Sequence, residues 1–187
     1  MRIAITGDSF THSYYNTWIE KVCAELNLTL VNCTGFRGQS EYKIYNNFYE
    51  LLSQDIDIIL ICHTEYSRLY KEGVADIEFA KIIQKLLISD MQEQCKLKNI
   101  KMINIPCFEH DTIKKYYGLW FLAQGGLISC SKADAPEWKD KMNDVRTNHF
   151  TPRGHEIMAN NIIPHIKTYI NTDQNFHIVN IYPEIFA

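Results

Sequence analysis

The segment Ile56–Cys62 (IDIILIC) constrains this chain most. It is almost continuously apolar, so both alternating sets of side chains avoid water, as in a strand covered on both faces of a parallel sheet. Three more short runs share that character: Arg2–Thr6 (RIAIT), Leu28–Cys33 (LTLVNC) and Ile100–Ile105 (IKMINI). Stretches with helical spacing lie between and after them. Tyr14–Leu26 carries Trp18, Val22 and Leu26, and Glu41–Leu52 carries Ile44, Phe48, Leu51 and Leu52. Asp76–Lys96 carries Ala80, Ile83, Leu87, Met91 and Cys95. Arg153–Ile170 carries Ile157, Ile162, Ile166 and Ile170, and Pro164 should kink or split it. Strands alternating with helices predict an α/β sheet joined by right-handed crossovers.

The 187 residues suffice for one domain with a real core, and the reading is a single domain over 1–187. Residues 106–148 read as an irregular insert, and 172–187 as a tail. Within that tail HIVNIY reads as a short extra strand or a packing arm, and the apolar end either docks on its own domain or packs on a second copy in a homo-oligomer. A net charge of −3 disfavours binding nucleic acid by phosphate neutralisation. No apolar run approaches the roughly 18–20 residues that span a bilayer, and MRIAITGDSF lacks the apolar region of a signal peptide, so neither membrane nor export is expected. Six scattered cysteines spell no CxxC pair; no metal or other cofactor is expected, and a reducing, cytoplasmic setting fits.

Ligands of open α/β sheets bind at the carboxyl ends of the strands, and polar residues gather at three such ends. Gly7-Asp8-Ser9-Phe10 follows the first run, where Ser9 reads either as a nucleophile at the head of a helix or, with Asp8, as a plain helix cap. The second run ends in Asn32–Ser40 (NCTGFRGQS), a loop that either brings backbone N–H groups to a ligand oxygen or merely turns so that Ser40 caps a helix with Glu41 in its first turn. His63, Glu65 and Arg68 follow the third run. Arg37 and Arg68 suit either an anionic substrate or ion pairs with carboxylates such as Glu41 and Glu65. Asn148-His149-Phe150-Thr151-Pro152 leads into the last helix: Thr151 and Pro152 fit its cap and first position, and His149 is either a solvated loop residue or a base.

Taken in order, GDSF, the glycine-bearing second block and HxTPxGHxxMA resemble the SGNH hydrolases, the GDSL-like esterase/lipase superfamily, over nearly the whole chain. The resemblance implies a three-layer α/β/α sandwich, flavodoxin-like, with a mostly parallel five-stranded sheet. It implies Ser9 as nucleophile, His149 as general base, and an oxyanion hole formed by the Ser9 and Gly38 N–H groups. Two positions depart from the family. Glu65 stands where an asparagine usually completes the oxyanion hole, and Arg146 stands where the triad aspartate is usual. Asp144, two residues earlier, is the candidate replacement. With these residues the implied reaction is hydrolysis of a small or medium ester such as an O-acetyl group, or acyl transfer to another acceptor. The departures equally suit a degenerate relative that binds a ligand or partner without turnover.

Overall fold

The structure, a computed structural model, describes residues 1–69, 76–108, 115–137 and 146–187. Six parallel strands form one sheet: β1 (Arg2–Gly7), β2 (Thr29–Cys33), β3 (Ile58–His63), β4 (Lys101–Pro106), β5 (Gly118–Ala123) and β6 (Phe176–Ile181). Their spatial order is β2-β1-β3-β4-β5-β6. The helices are α1 (Trp18–Glu25), α2 (Glu41–Leu52), α3 (Ile77–Leu97), α4 (Leu127–Asp134) and α5 (Pro152–Ile170).

The alternation along β3 explains the three layers. Ile58, Leu60 and Cys62 join one apolar cluster with Trp18, Ile19 and Val22 of α1 and Ile162 and Ile166 of α5. Ile59 and Ile61 join a second cluster with Ile44 and Phe48 of α2 and Ile88 and Met91 of α3. Local chemistry sets the helix starts. Ser40 Oγ accepts from Lys43 N–H (3.2 Å), Asp76 from Phe79 N–H (2.9 Å) and Thr151 Oγ1 from Gly154 N–H (3.1 Å), with Pro152 first in α5.

Several expectations need correction. The sheet has six strands, not five. The extra strand β5 (GLWFLA), together with α4, lies in the stretch read as irregular. For the tail it is the extra-strand reading that holds: it supplies β6, and Phe186 is buried on its own domain, stacked on Phe150 (5.5 Å between ring centroids). The stripe on α3 is rotated: Ala80, Gln84, Ile88, Met91 and Cys95 are buried, while Ile83 and Leu87 are only half-buried. The cause is Gln84, a polar residue drawn inward by hydrogen bonds described below. All six cysteines are free thiols.

Pro164 does not split α5, which runs unbroken through it. Proline still removes the N–H that would bond the Asn160 carbonyl. Residue 164 is exposed, so Pro164→Ala should restore that bond without disturbing packing. The expected gain is about 1–3 kcal/mol, read as a higher Tm in thermal melts.

Candidate active site

The order of strands reverses between β1 and β3, which places a crevice at their carboxyl ends. Gly7 brings the two ends together. At its φ of +147° a Cβ would lie 2.6 Å from the Cys62 carbonyl oxygen, so only glycine fits. The Asp8 N–H donates to that same carbonyl (3.1 Å). Ser9 then opens a single 3₁₀ turn, Ser9–Thr11. The expectation that Ser9 heads the following helix is therefore corrected: α1 begins only at Trp18.

Ser9 Oγ lies 2.7 Å from His149 Nε2. Both residues are half-buried. His149 sits in the 3₁₀ turn Thr147–His149 just before α5, and Asn148 and His149 both take left-handed backbone angles (φ +49° and +63°). Two non-glycine residues in that region are costly unless their surroundings hold them. Here the surroundings do. Asn148 is buried, and its amide pairs with the Ser13 backbone in both directions: Oδ1 accepts from N–H (2.9 Å), and Nδ2 donates to the carbonyl (2.8 Å). The Ser131 hydroxyl donates to the His149 carbonyl (2.7 Å).

Asp134 supports the same loop. Its fully buried carboxylate accepts from Thr151 N–H (2.6 Å) and Thr151 Oγ1 (2.7 Å) and pairs with Arg146 (3.5 Å). Gly154 leaves room for it, since a Cβ there would lie 2.4 Å from an Asp134 oxygen. Arg146, at the position usual for the triad acid, is thus engaged with Asp134 and with Ser131, whose carbonyl and hydroxyl it bonds. Asp144 lies outside the described residues. His155 braces the loop from α5, receiving the Trp18 N–H at Nδ1 (3.2 Å) and lying 3.0 Å from the Thr147 carbonyl through Nε2.

Between the first and third strand ends, Asp8 is fully buried. One of its oxygens accepts the Ser9 N–H. The other accepts from the Thr64 hydroxyl (2.8 Å) and from Arg68 (3.3 Å). Arg68 also pairs with Glu65 (2.9 Å) and lies over the Phe108 ring (5.0 Å). Glu65 is therefore turned onto Arg68. His63, expected beside the crevice, is instead fully buried, between Glu41 (2.8 Å) and Asn104 (3.0 Å) and stacked against Trp120 (5.8 Å, 11°). A carboxylate in the interior needs a partner more than the crevice needs an imidazole. Gly38 is exposed with φ +70° and open space on its Cβ side, and Arg37 beside it is exposed. Their loop is tied to the first by the Phe36 N–H on the Gly7 carbonyl (3.2 Å). Among the described residues no group of His, Cys, Asp and Glu is placed to hold a metal ion, and no helix is long and apolar enough to cross a membrane.

A hydroxyl within hydrogen-bond reach of an imidazole, at the carboxyl ends of β1 and β3, is the geometry that nucleophilic acyl chemistry requires. A solved structure shares the frame. A structure from Desulfitobacterium hafniense, of a protein assigned to the G-D-S-L lipolytic family, superposes with a TM-score of 0.51 at 17% identity, covering 85% of this chain and 95% of that one. The chain has the fold of that protein. Lower-scoring matches are a member of the lipolytic G-D-S-L family from Veillonella parvula (TM-score 0.49, 15% identity, 88% and 97% covered) and a GDSL-like lipase from Bacteroides thetaiotaomicron (0.47, 16%, 96% and 67%). No family model and no curated protein matches the chain.

The sequence reading missed Asp134, Asn148, Glu41, Thr64 and Gln84. Only Asn148 carried a visible signal, as an asparagine next to the candidate base, a residue type that tolerates left-handed backbone. Asp134→Ala removes the carboxylate beside a nearly buried Arg146 and should cost about 3–5 kcal/mol, seen as a lower denaturation midpoint. His155 gives a pH signature. Burial lowers its pKa from the ordinary 6.5, despite the opposing Thr147 carbonyl and Asp134. The unfolded chain then takes up the proton first, so the full contribution to stability holds above 6.5 and is lost as pH falls from there through the lowered folded value. Melts at pH 7.5 and about 5.5 should show His155→Gln less stable than wild type at the higher pH, but with a shallower fall between the two. Equal slopes would refute this assignment.

Proposed function

We propose that this chain is an SGNH-type serine hydrolase that cleaves a small or medium ester, such as an O-acetyl group, with Ser9 as nucleophile and His149 as base. The observation that carries the reading is the 2.7 Å contact of Ser9 Oγ with His149 Nε2 at the crevice between β1 and β3. In the proposed reaction His149 Nε2 takes the Ser9 proton as Oγ bonds to the ester carbonyl carbon. The tetrahedral intermediate then collapses, and the alcohol leaves with that proton. Water, activated by the same imidazole, releases the acid; a different acceptor hydroxyl would make the enzyme an acyltransferase. The Gly38 N–H is the proposed oxyanion donor, with the Ser9 N–H available once it turns from Asp8 toward the oxyanion. Asp144 is the proposed acid for His149. Arg37 and Arg68, on the second and third strand-end loops, are the proposed contacts for an anionic part of the substrate. Six free thiols suit a cytoplasmic setting for this enzyme.

A second reading has a specific observation behind it. The Ser9 N–H is bonded to Asp8, and Glu65, which the resemblance sets against the family's asparagine, is paired with Arg68, so neither is turned toward an oxyanion. That favours a relative that binds a ligand without turnover.

Hydrolysis of p-nitrophenyl acetate, together with fluorophosphonate labelling read by mass spectrometry, separates the two. The esterase should turn over and be labelled at Ser9. Ser9→Ala should abolish labelling, and both Ser9→Ala and His149→Ala should lower turnover by about 10³-fold or more. A well-folded wild type that is inert in both assays would point to the binding reading, or to a nucleophile that reacts only with its own acyl donor.

A further inference from the structure

Beneath the crevice lies a chain of polar side chains that the proposed reaction does not use. Glu41, His63, Thr64 and Asp8 are all fully buried, and Gln84 and Asn104 nearly or fully so. Glu41 Oε1 lies 2.8 Å from His63 Nδ1. Its other oxygen accepts the Thr64 N–H (3.0 Å) and the Gln84 amide (3.2 Å), and the Gln84 amide also donates to the Thr64 carbonyl (2.8 Å). The Thr64 backbone is therefore gripped at both its donor and its acceptor. Its hydroxyl donates to Asp8, and Asp8 in turn holds the Ser9 N–H. An unbroken series of hydrogen bonds thus runs from the interior beside Trp120 to the residue that carries the nucleophile.

Stability alone does not account for such a pair. Taking a carboxylate and an imidazole out of water costs several kcal/mol, and well-packed apolar residues in the same volume commonly do as well or better. What apolar residues would not supply is an acceptor for the Thr64 N–H. Thr64 leaves the end of β3 with no strand partner to fix it, and the same residue must aim a hydroxyl at Asp8. We propose that Glu41 and His63 are positioning residues: the buried pair fixes Thr64, Thr64 fixes the Asp8 carboxylate, and Asp8 sets the orientation of the turn that presents Ser9. The proposal rests on Ser9 being the nucleophile.

Three variants test it. Thr64→Val keeps shape and removes only the hydroxyl that reaches Asp8. Thr64→Ser keeps that hydroxyl. The double substitution Glu41→Leu with His63→Phe replaces the pair as a unit and keeps a ring beside Trp120. The readouts are the labelling rate of Ser9 by a fluorophosphonate, kcat and KM for p-nitrophenyl acetate, and Tm. Thr64→Val should lower labelling and kcat by about 10- to 100-fold, the scale of a small misplacement of a reacting group, with KM nearly unchanged and a Tm lowered by the one donor that Asp8 loses, still well above the assay temperature. Thr64→Ser should recover most of the loss. The double variant, which leaves the buried Thr64 N–H without its acceptor, should melt somewhat lower than wild type and show the same fall in kcat. Wild-type labelling rates in Thr64→Val or in a folded double variant would overturn the proposal. So would a Thr64→Ser protein as slow as Thr64→Val, or losses that simply follow Tm. If the double variant does not fold, the two Thr64 variants decide. A wild type that is never labelled at Ser9, while folded, defeats the nucleophile reading itself and this proposal with it.

Discussion

The Asp8 carboxylate has no access to water, and much of the crevice follows from that. A buried carboxylate is tolerated only when its oxygens find donors. The donors come from three places: the Ser9 N–H within its own turn, the Thr64 hydroxyl from the end of β3, and the Arg68 guanidinium from the 3₁₀ turn beyond it. Meeting this demand draws the first and third strand ends together. Glycine at position 7 makes the approach possible by letting β1 end against the Cys62 carbonyl. Arg68 offsets the charge of Asp8 and occupies Glu65 at the same time.

The second half of the crevice obeys a similar rule with different residues. The His149 turn is bent into left-handed backbone at two successive positions, and it is held from three sides. Asn148 joins it to Ser13, Ser131 joins it to α4, and Asp134 joins the start of α5 to Arg146. The contact between Ser9 and His149 is thus the meeting of two turns that are each fixed by buried polar groups and that pack on one another through Phe10, which lies against His149 (4.9 Å) and Phe150 (5.8 Å).

This division also explains what the sequence made legible. Apolar runs and stripes located four strands and four helices, and α2 begins and ends where its pattern does, at Glu41 and Leu52. The cap and first position of α5 could be read from Thr151 and Pro152. The blocks that hold Ser9 and His149 could be read because they stand at the ends of such elements. The strand β5 was missed although GLWFLA is apolar throughout, because the polar, glycine-bearing sequence around it suggested loop. The face of α3 was misplaced because hydrophobic spacing assigns glutamine to the surface, whereas Gln84 is needed inside by Glu41 and Thr64. His63 was read as a crevice residue for the opposite reason: an imidazole after a strand suggests chemistry, and nothing local reveals that a carboxylate 22 residues earlier will meet it in the interior. Patterns of apolar residues are local, but the partners of buried polar groups are set by the tertiary fold.

The bond between Ser9 and His149 joins positions 140 apart in the chain. In a parallel sheet of this order, β1 pairs with β3 while the last helix still has to dock against α1. Long-range closures of this kind are slow to form and come after local structure. A chain growing from its amino end therefore carries Ser9 for most of its synthesis without His149. Under the proposed function, in which His149 is the base, the hydroxyl gains that partner only once α5 is in place, and labelling at Ser9 would then report the last stage of folding.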